Sequence, residues 1–259
     1  MKKSKFLIFI VALAVIFLIG PFIIIIVSSF NETAVMKFPP KGFSLQWYQK
    51  VFSVDMFKTT FWISLKIGFF ATIIALVIGI PVAYLNVRYK YRGKNIVELI
   101  FSSPAIIPGL VIGFALLRYF IYVAQVPITV GLFLGHTAIL FPYTVRVVSA
   151  SLRNFDLSVE EAAVSLGSSP IGAFFRVVFP NIQAGVVAAF ILAFITSFNN
   201  VPISLFLTGP GVSTLPIQML VYMEYYYDPT ISALSSIIIV LTVLIVQAAE
   251  KVLGISKYM

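Results

Sequence analysis

Runs of about 20 apolar residues recur along this chain, and each is long enough to cross a bilayer as a helix whose backbone groups satisfy one another. They fall at residues 6–30, 61–87, 97–123, 128–148, 186–207 and 231–249. With 60% of residues hydrophobic and 10% charged, the composition lies far from that of soluble domains. The pattern predicts an all-α membrane protein of six transmembrane helices forming a single transmembrane domain over residues 1–259. The first run follows Lys2, Lys3 and Lys5. It is too long for a signal peptide and lacks a small-residue cleavage site, so it reads as a first span.

The distribution of positive charge orients the bundle. With the N-terminus inside, the inner segments hold Lys2, Lys3, Lys5, Arg88, Lys90, Arg92, Lys94, Arg146, Arg153, Arg176, Lys251 and Lys257, twelve of the eighteen cations. The outer loops hold Lys37, Lys41, Lys50 and Lys58, while Lys66 and Arg118 fall inside spans. This bias predicts that both termini are cytoplasmic. It also explains the formal charge of +9 by membrane flanks and lipid, not by a nucleic-acid partner.

Residues 156–185 lie between two apolar segments without being simply apolar themselves, and a hairpin is expected over about 156–181. Ser158 is a candidate N-cap, with Glu160 and Glu161 in the first helical turn, where the helix dipole favours acids. Gly167 stops that helix, Ser168 or Ser169 can cap another, Pro170 suits its first turn, and Pro180 is expected to close it. The result is a helical hairpin at the membrane surface on the inner side. Ala162 and Ala163 permit close backbone approach, and Glu161 can meet basic or donor groups.

The run E-A-A-V-S-L-G (161–167), followed after nine residues by V-V-F-P (177–180), resembles the EAA signature of ABC importer permeases. The spacing matches in full. Val177 and Phe179 replace the commoner Ile and Leu, and Ala184-Gly185 replaces the usual Pro-Gly. Looser segments resemble the polyamine-type subfamily in the same order: residues 19–31, 43–48, 135–146, 208–216 and 229–234. The resemblance implies a MetI-like type I importer permease on the bacterial plasma membrane, working with a second permease subunit, ABC ATPase subunits and an extracytoplasmic solute-binding protein. It implies ATPase coupling through Glu160, Glu161, Ala162, Ala163, Gly167 and Pro180. It also implies a transport subunit without its own ATPase site or cofactor, since ATP and Mg would be bound by the ATPase partners; no G-x-x-x-x-G-K-[ST] phosphate loop occurs.

The departures bear on the solute. Many polyamine-type relatives carry aspartates where this chain has Asn199 and Asn200, and often an acid where it has Gly109. An ammonium crossing a low-dielectric path favours counter-charges. The expected solute is therefore a polyamine or another small amine, a zwitterion or a phosphonate.

Thr196, Ser197, Asn199 and Asn200 stand out in an apolar segment and are candidates to line the pathway, with interhelical bonding as the alternative. Pro108 and Gly109, with Pro104, predict a bent third helix that can line a gate. Trp47 is a candidate contact for solute or binding protein, or a member of the headgroup aromatic belt. Glu98 is expected to pair with Arg92 or Lys94, and His136 to be a hydrogen-bonded packing residue. The chain has no cysteine, and no nucleophile–base pair or metal spacing appears in the sequence. Two other classes account for a multi-span chain: an ATP-independent secondary transporter or channel, which would favour mid-membrane ionisable groups or an inverted repeat, and a non-transporting membrane scaffold.

Overall fold

A computed structural model describes residues 5–253 and divides the chain into two compact units. Lys2, Lys3 and Lys257, on which part of the orientation argument rests, lie outside the described residues. In chain order the helices are α1 (Lys5–Ser28), α2 (Gln46–Ser53), α3 (Asp55–Arg88), α4 (Lys94–Ile106), α5 (Gly109–Leu117), α6 (Ile128–Arg153), α7 (Leu157–Ser165), α8 (Pro170–Ala173), α9 (Phe179–Phe198), α10 (Pro202–Phe206), α11 (Leu215–Tyr225) and α12 (Thr230–Leu253). Among the described residues, five helical stretches are long and apolar enough to span a membrane.

The first unit comprises residues 1–59 and 218–248. Side chains of α1 are exposed nearly all round, with a mean hydropathy of 3.3, the character of a membrane-spanning helix. The loop after α1, which reads as merely polar and aromatic in sequence, is tightly built. Asn31 is fully buried, and its side chain donates to the Val35 carbonyl at 2.8 Å and accepts from the Lys41 amide at 3.1 Å. Phe30 stacks on Phe43 at 4.9 Å. Near α12, Lys50 reaches the Asp228 carboxylate at 2.6 Å, and the same carboxylate accepts from Tyr222 and from the Thr230 amide.

The second unit, residues 60–217 and 249–259, holds the larger core. Its centre is α6, the most buried of the long helices. Small residues on the neighbours let backbones approach: Ala71 and Ala75 of α3 and Ala193 of α9 pack around Leu132, Ile139 and Leu140 of α6. A Cβ on Gly79 would lie 2.5 Å from the Thr144 hydroxyl, and one on Gly185 would lie 2.3 Å from Ser151. Thr144 uses that proximity to donate to the Ala75 carbonyl across the helices at 3.1 Å, sharing its hydroxyl with the Phe141 carbonyl of its own helix at 2.9 Å.

Three expectations about the spans need correction. The third span, expected over 97–123 as a helix bent at Pro104, Pro108 and Gly109, is broken: α4 stops after Ile106, Ile107 and Pro108 are extended with ψ of 137° and 129°, and α5 starts at Gly109. Pro108 disfavours the α conformation for the residue before it, and here Ile107 is extended, so the chain interrupts the helix instead of merely bending it. A π-helical turn, Arg118–Val123, then extends α5. The fifth span, expected over 186–207, is one continuous helix from Pro170 to Phe198. Pro180 does not close the helix before it. Over Phe174–Val178 the helix widens to a π turn that absorbs the proline, and Asn181 Nδ2 donates to the Val177 carbonyl at 2.7 Å. The helix ends only at Asn199, and α10 is a separate short piece.

Candidate functional site

Two places in the second unit gather the candidate residues. The first is the hairpin. Asp156, not Ser158, caps α7: its carboxylate accepts from the Ser158 amide at 3.0 Å, which holds the exposed Asp156 carboxyl below the usual carboxylate range. Gly167 turns the chain with φ of +96°, and the amides of Gly167 and Ser168 close back on the carbonyls of Val164 and Ala163 at 2.9 and 3.1 Å. A side chain would strain that conformation, which is why glycine stands there. Ser169, as one of the two expected caps, bonds the Gly172 amide at 3.1 Å, with Pro170 in the first turn of α8.

The hairpin is fastened to the end of α3. Glu160 is 3% exposed, and it accepts from the Tyr84 hydroxyl while Arg88 Nε stands 3.5 Å from its other oxygen. The same guanidinium reaches Glu161 at 3.2 Å, although the Glu161 side chain is two-thirds exposed. The two adjacent glutamates therefore differ in role: Glu160 faces inward, while Glu161 lies at the surface. Spacing alone did not separate them; the sign was the Y-L-N-V-R register that puts Tyr84 and Arg88 on one face of α3. Beyond the clamp the hairpin presents bare apolar side chains: Leu166 is 90% exposed, Ile171 73% and Phe175 63%. Ala162 and Ala163 lie on the same helix.

The second place is a pair of helix breaks. Gly109, at the start of α5, lies so near Pro202, at the start of α10, that a Cβ there would meet the proline ring at 2.9 Å. One turn on, a Cβ on Gly113 would stand 2.5 Å from the Pro202 carbonyl oxygen. The interruption at Pro108 thus packs against the interruption at Asn199 and Asn200. The G-L-V-I-G spacing of Gly109 and Gly113, a small-residue packing pattern, was the signal for this contact. Asn200, one residue before the N-cap Val201, accepts from the Ile203 amide in the first turn of α10 at 2.9 Å. Asn199 is exposed, and its side chain has no hydrogen-bond partner among the described residues. Thr196 donates to the Leu192 carbonyl of its own helix at 2.7 Å. Ser197 is buried and bonds His136 Nδ1 at 2.7 Å, while His136 Nε2 meets Ser204 at 3.0 Å. His136, 1% exposed, thereby ties α6 to α9 and α10 as a packing residue.

Trp47 belongs to the first unit. Its ring is 7% exposed and its only N–H is given to the Asn31 carbonyl at 2.6 Å, so it builds the loop after α1. Glu98 forms no ion pair with Arg92 or Lys94 among the described residues; Lys94 turns instead to the Asn86 carbonyl. Glu98 lines a cavity with Arg146 and Arg153.

Together these features define a multi-pass helical membrane protein with broken helices and a clamped, apolar-tipped surface hairpin. The sequence matches the family described as "Binding-protein-dependent transport system inner membrane component" over residues 75–254, and the chain belongs to that family. It is a membrane permease component of ABC importers. It is 30% identical over 244 residues to the putrescine transport system permease protein PotI of Escherichia coli (strain K12), covering 92% of this chain and 86% of that one. It is also 30% identical over 233 residues to the spermidine/putrescine transport system permease protein PotC of Haemophilus influenzae, covering 89% of each. Among solved structures, the fold is similar to a bacterial ABC transporter involved in the import of the acidic polysaccharide alginate, with a TM-score of 0.67 at 18% identity over 100% of this chain and 99% of the other. It is also similar to the inward-facing MetNI methionine ABC transporter, with a TM-score of 0.61 at 21% identity over 74% of this chain and 92% of that one.

Proposed function

We propose that this chain forms half of the pathway of an ATP-driven importer and takes its motion from an ATPase subunit through the hairpin of α7 and α8. The observation that carries the reading is the hairpin itself: apolar Leu166, Ile171 and Phe175 stand bare around the Gly167 turn, while Glu160 locks their base to α3. An exposed apolar knob on a rigid mount is suited to a groove on another protein. On this reading Glu161 and the small Ala162 and Ala163 meet the ATPase, Gly167 sets the shape of the knob, and Pro180 lies where the hairpin passes into the fifth span. ATP and Mg belong to that partner, and both termini of this chain are cytoplasmic.

The complete importer would contain a second permease subunit and an external binding protein that delivers the solute. The break between Asn199 and Pro202, against Pro108 and Gly109, is the proposed solute-contacting region, since interrupted helices leave backbone and amide groups free to meet a ligand. Asn199 supplies a free amide there. The names of the relatives support a small amine such as putrescine. The neutral Gly109, Asn199 and Asn200 leave a zwitterion or a phosphonate as the other solute classes.

Co-expression with the ATPase subunit tests the coupling. Leu166→Glu with Phe175→Glu should abolish co-purification and ATP-dependent uptake while the protein still inserts. Co-purification unchanged in that variant, or uptake driven by an ion gradient without ATP, would sink the reading. Uptake of radiolabelled putrescine against a zwitterion and a phosphonate assigns the solute.

A further inference from the structure

A cavity of about 300 Å³ opens between the end of α3, the start of α4 and the last three turns of α6. Pro142, Val145, Arg146, Ser149, Ala150 and Arg153 line it from α6, at spacings of three and four that put them on one face of the helix. Glu98 and Phe101 of α4 and Asn86 of α3 complete the lining. Arg146 and Arg153 are two turns apart, about 10 Å along the axis. Among the described residues neither has a carboxylate partner, and Glu98 has no cationic one. The lining grades from apolar to polar. Phe101, tilted against Phe141 with ring centroids 4.8 Å apart, lies with Pro142 and Val145 at one end, and the charged groups gather toward Arg153, three residues before the cap of α7.

We propose that this cavity holds the headgroup of an aminophospholipid. Two guanidiniums bind the phosphodiester, the carboxylate of Glu98 takes the primary ammonium, and the Phe101 and Val145 end receives the start of the acyl chains. An anion alone would leave Glu98 facing like charge, and a soluble phosphate would leave the apolar end unused. A groove at a bundle's edge with cations on the hairpin side is a setting in which lipid headgroups bind between helices. The placement of the cavity at the cytoplasmic interface rests on the orientation in the proposed function, but its chemistry does not.

Native mass spectrometry of the full chain, extracted into mixed micelles containing equal phosphatidylethanolamine and phosphatidylglycerol, reads the site without requiring transport. The expected result is retention of phosphatidylethanolamine in preference to phosphatidylglycerol. Arg146→Gln with Arg153→Gln should lower retention of the ethanolamine lipid about tenfold, as loss of a charge-assisted contact implies. Glu98→Gln should erase the preference while leaving phosphatidylglycerol bound. All three side chains are at least partly exposed, and a size-exclusion profile matching that of the parent chain establishes that each variant is folded. Equal retention of both lipids by the parent chain, retention unaffected by the arginine changes, or competition by glycerophosphoethanolamine as strong as by the whole lipid would overturn the proposal. Failure of ATP-dependent uptake with the lipid preference intact would instead count against the transport reading alone.

Discussion

Arg88, the last residue of α3, stands 3.5 Å from the buried carboxylate of Glu160 and 3.2 Å from the exposed carboxylate of Glu161, so one guanidinium straddles the base of the hairpin. The two contacts are unequal. A carboxylate 3% exposed depends on its partner for charge balance, whereas one in water does not. Arg88→Gln should therefore destabilise the hairpin by roughly 3 kcal/mol, at the lower end of what removal of one partner of a buried pair costs, because Arg88 is itself partly solvated. Arg88→Gln combined with Glu160→Gln should recover much of that loss. Glu161→Gln should cost no more than about 0.5 kcal/mol. Hydrogen exchange over residues 157–178 measures all three, and a double variant no better than Arg88→Gln alone would show that the pair is not the fastening.

Gly167 has φ of +96°, and an added Cβ would touch nothing within 4 Å. The penalty for a side chain is therefore purely conformational, about 1–2 kcal/mol for alanine. Gly167→Asn should recover part of it, since asparagine visits the left-handed region more readily. In a co-purification assay with the ATPase, binding should fall in the order Gly, Asn, Ala. Equal binding by Ala and Asn would mean that the turn is not what the partner reads.

The spans and the hairpin were legible because they rest on local signals: apolar length, charge at the flanks, and glycine and serine at turn positions. Failures came where one local rule met another. Pro108 ended a helix expected to bend, while Pro180, expected to end one, was absorbed by a π turn, and proline alone does not distinguish these outcomes. The Asp156 cap was missed because Ser158 offered an equally good oxygen two residues later. Burial of Glu160 beside an exposed Glu161 depends on Tyr84 and Arg88, which are distant in sequence. Trp47 reads as a surface aromatic until the Asn31 carbonyl that binds its N–H is placed.

The first unit carries a pH-sensitive pair. Burial alone would raise the Asp228 carboxyl, but hydrogen bonds from Lys50 and Thr230 outweigh it and hold the carboxyl below its ordinary value, while Asp228 raises the Lys50 ammonium. A depressed carboxyl contributes stability above its unfolded-state pKa and loses it as pH falls through the folded value. A raised ammonium contributes below its unfolded-state pKa and loses it as pH rises through the folded one. The contact should hold across neutral pH and fail at both extremes. Because the Lys50 side chain is 40% exposed, its worth is at most about 1 kcal/mol. Asp228→Asn should lower the melting temperature at pH near 7 and lower it less at acid pH, as the parent carboxyl takes up its proton. An equal drop at both pH values would assign the effect to packing around Tyr222.

Gly113 and Gly109 face the same proline through different atoms. At Gly113 an added methyl would stand 2.5 Å from the Pro202 carbonyl oxygen and 2.7 Å from the Phe206 ring, and a backbone oxygen at a helix start has little room to move. At Gly109 it would meet only the proline ring, at 2.9 and 3.2 Å. Gly113→Ala should cost about 1–3 kcal/mol by pushing α5 from α10, and Gly109→Ala less. Gly20→Ala is the control: nothing lies within 4 Å, and alanine should favour that helix by about 0.5–1 kcal/mol. Thermal unfolding in detergent ranks the three. Since the contact sets the spacing of the two helix breaks, Gly113→Ala should also lower uptake out of proportion to its effect on the amount of folded protein. Uptake per folded molecule equal to that of the parent chain would separate this contact from the solute path.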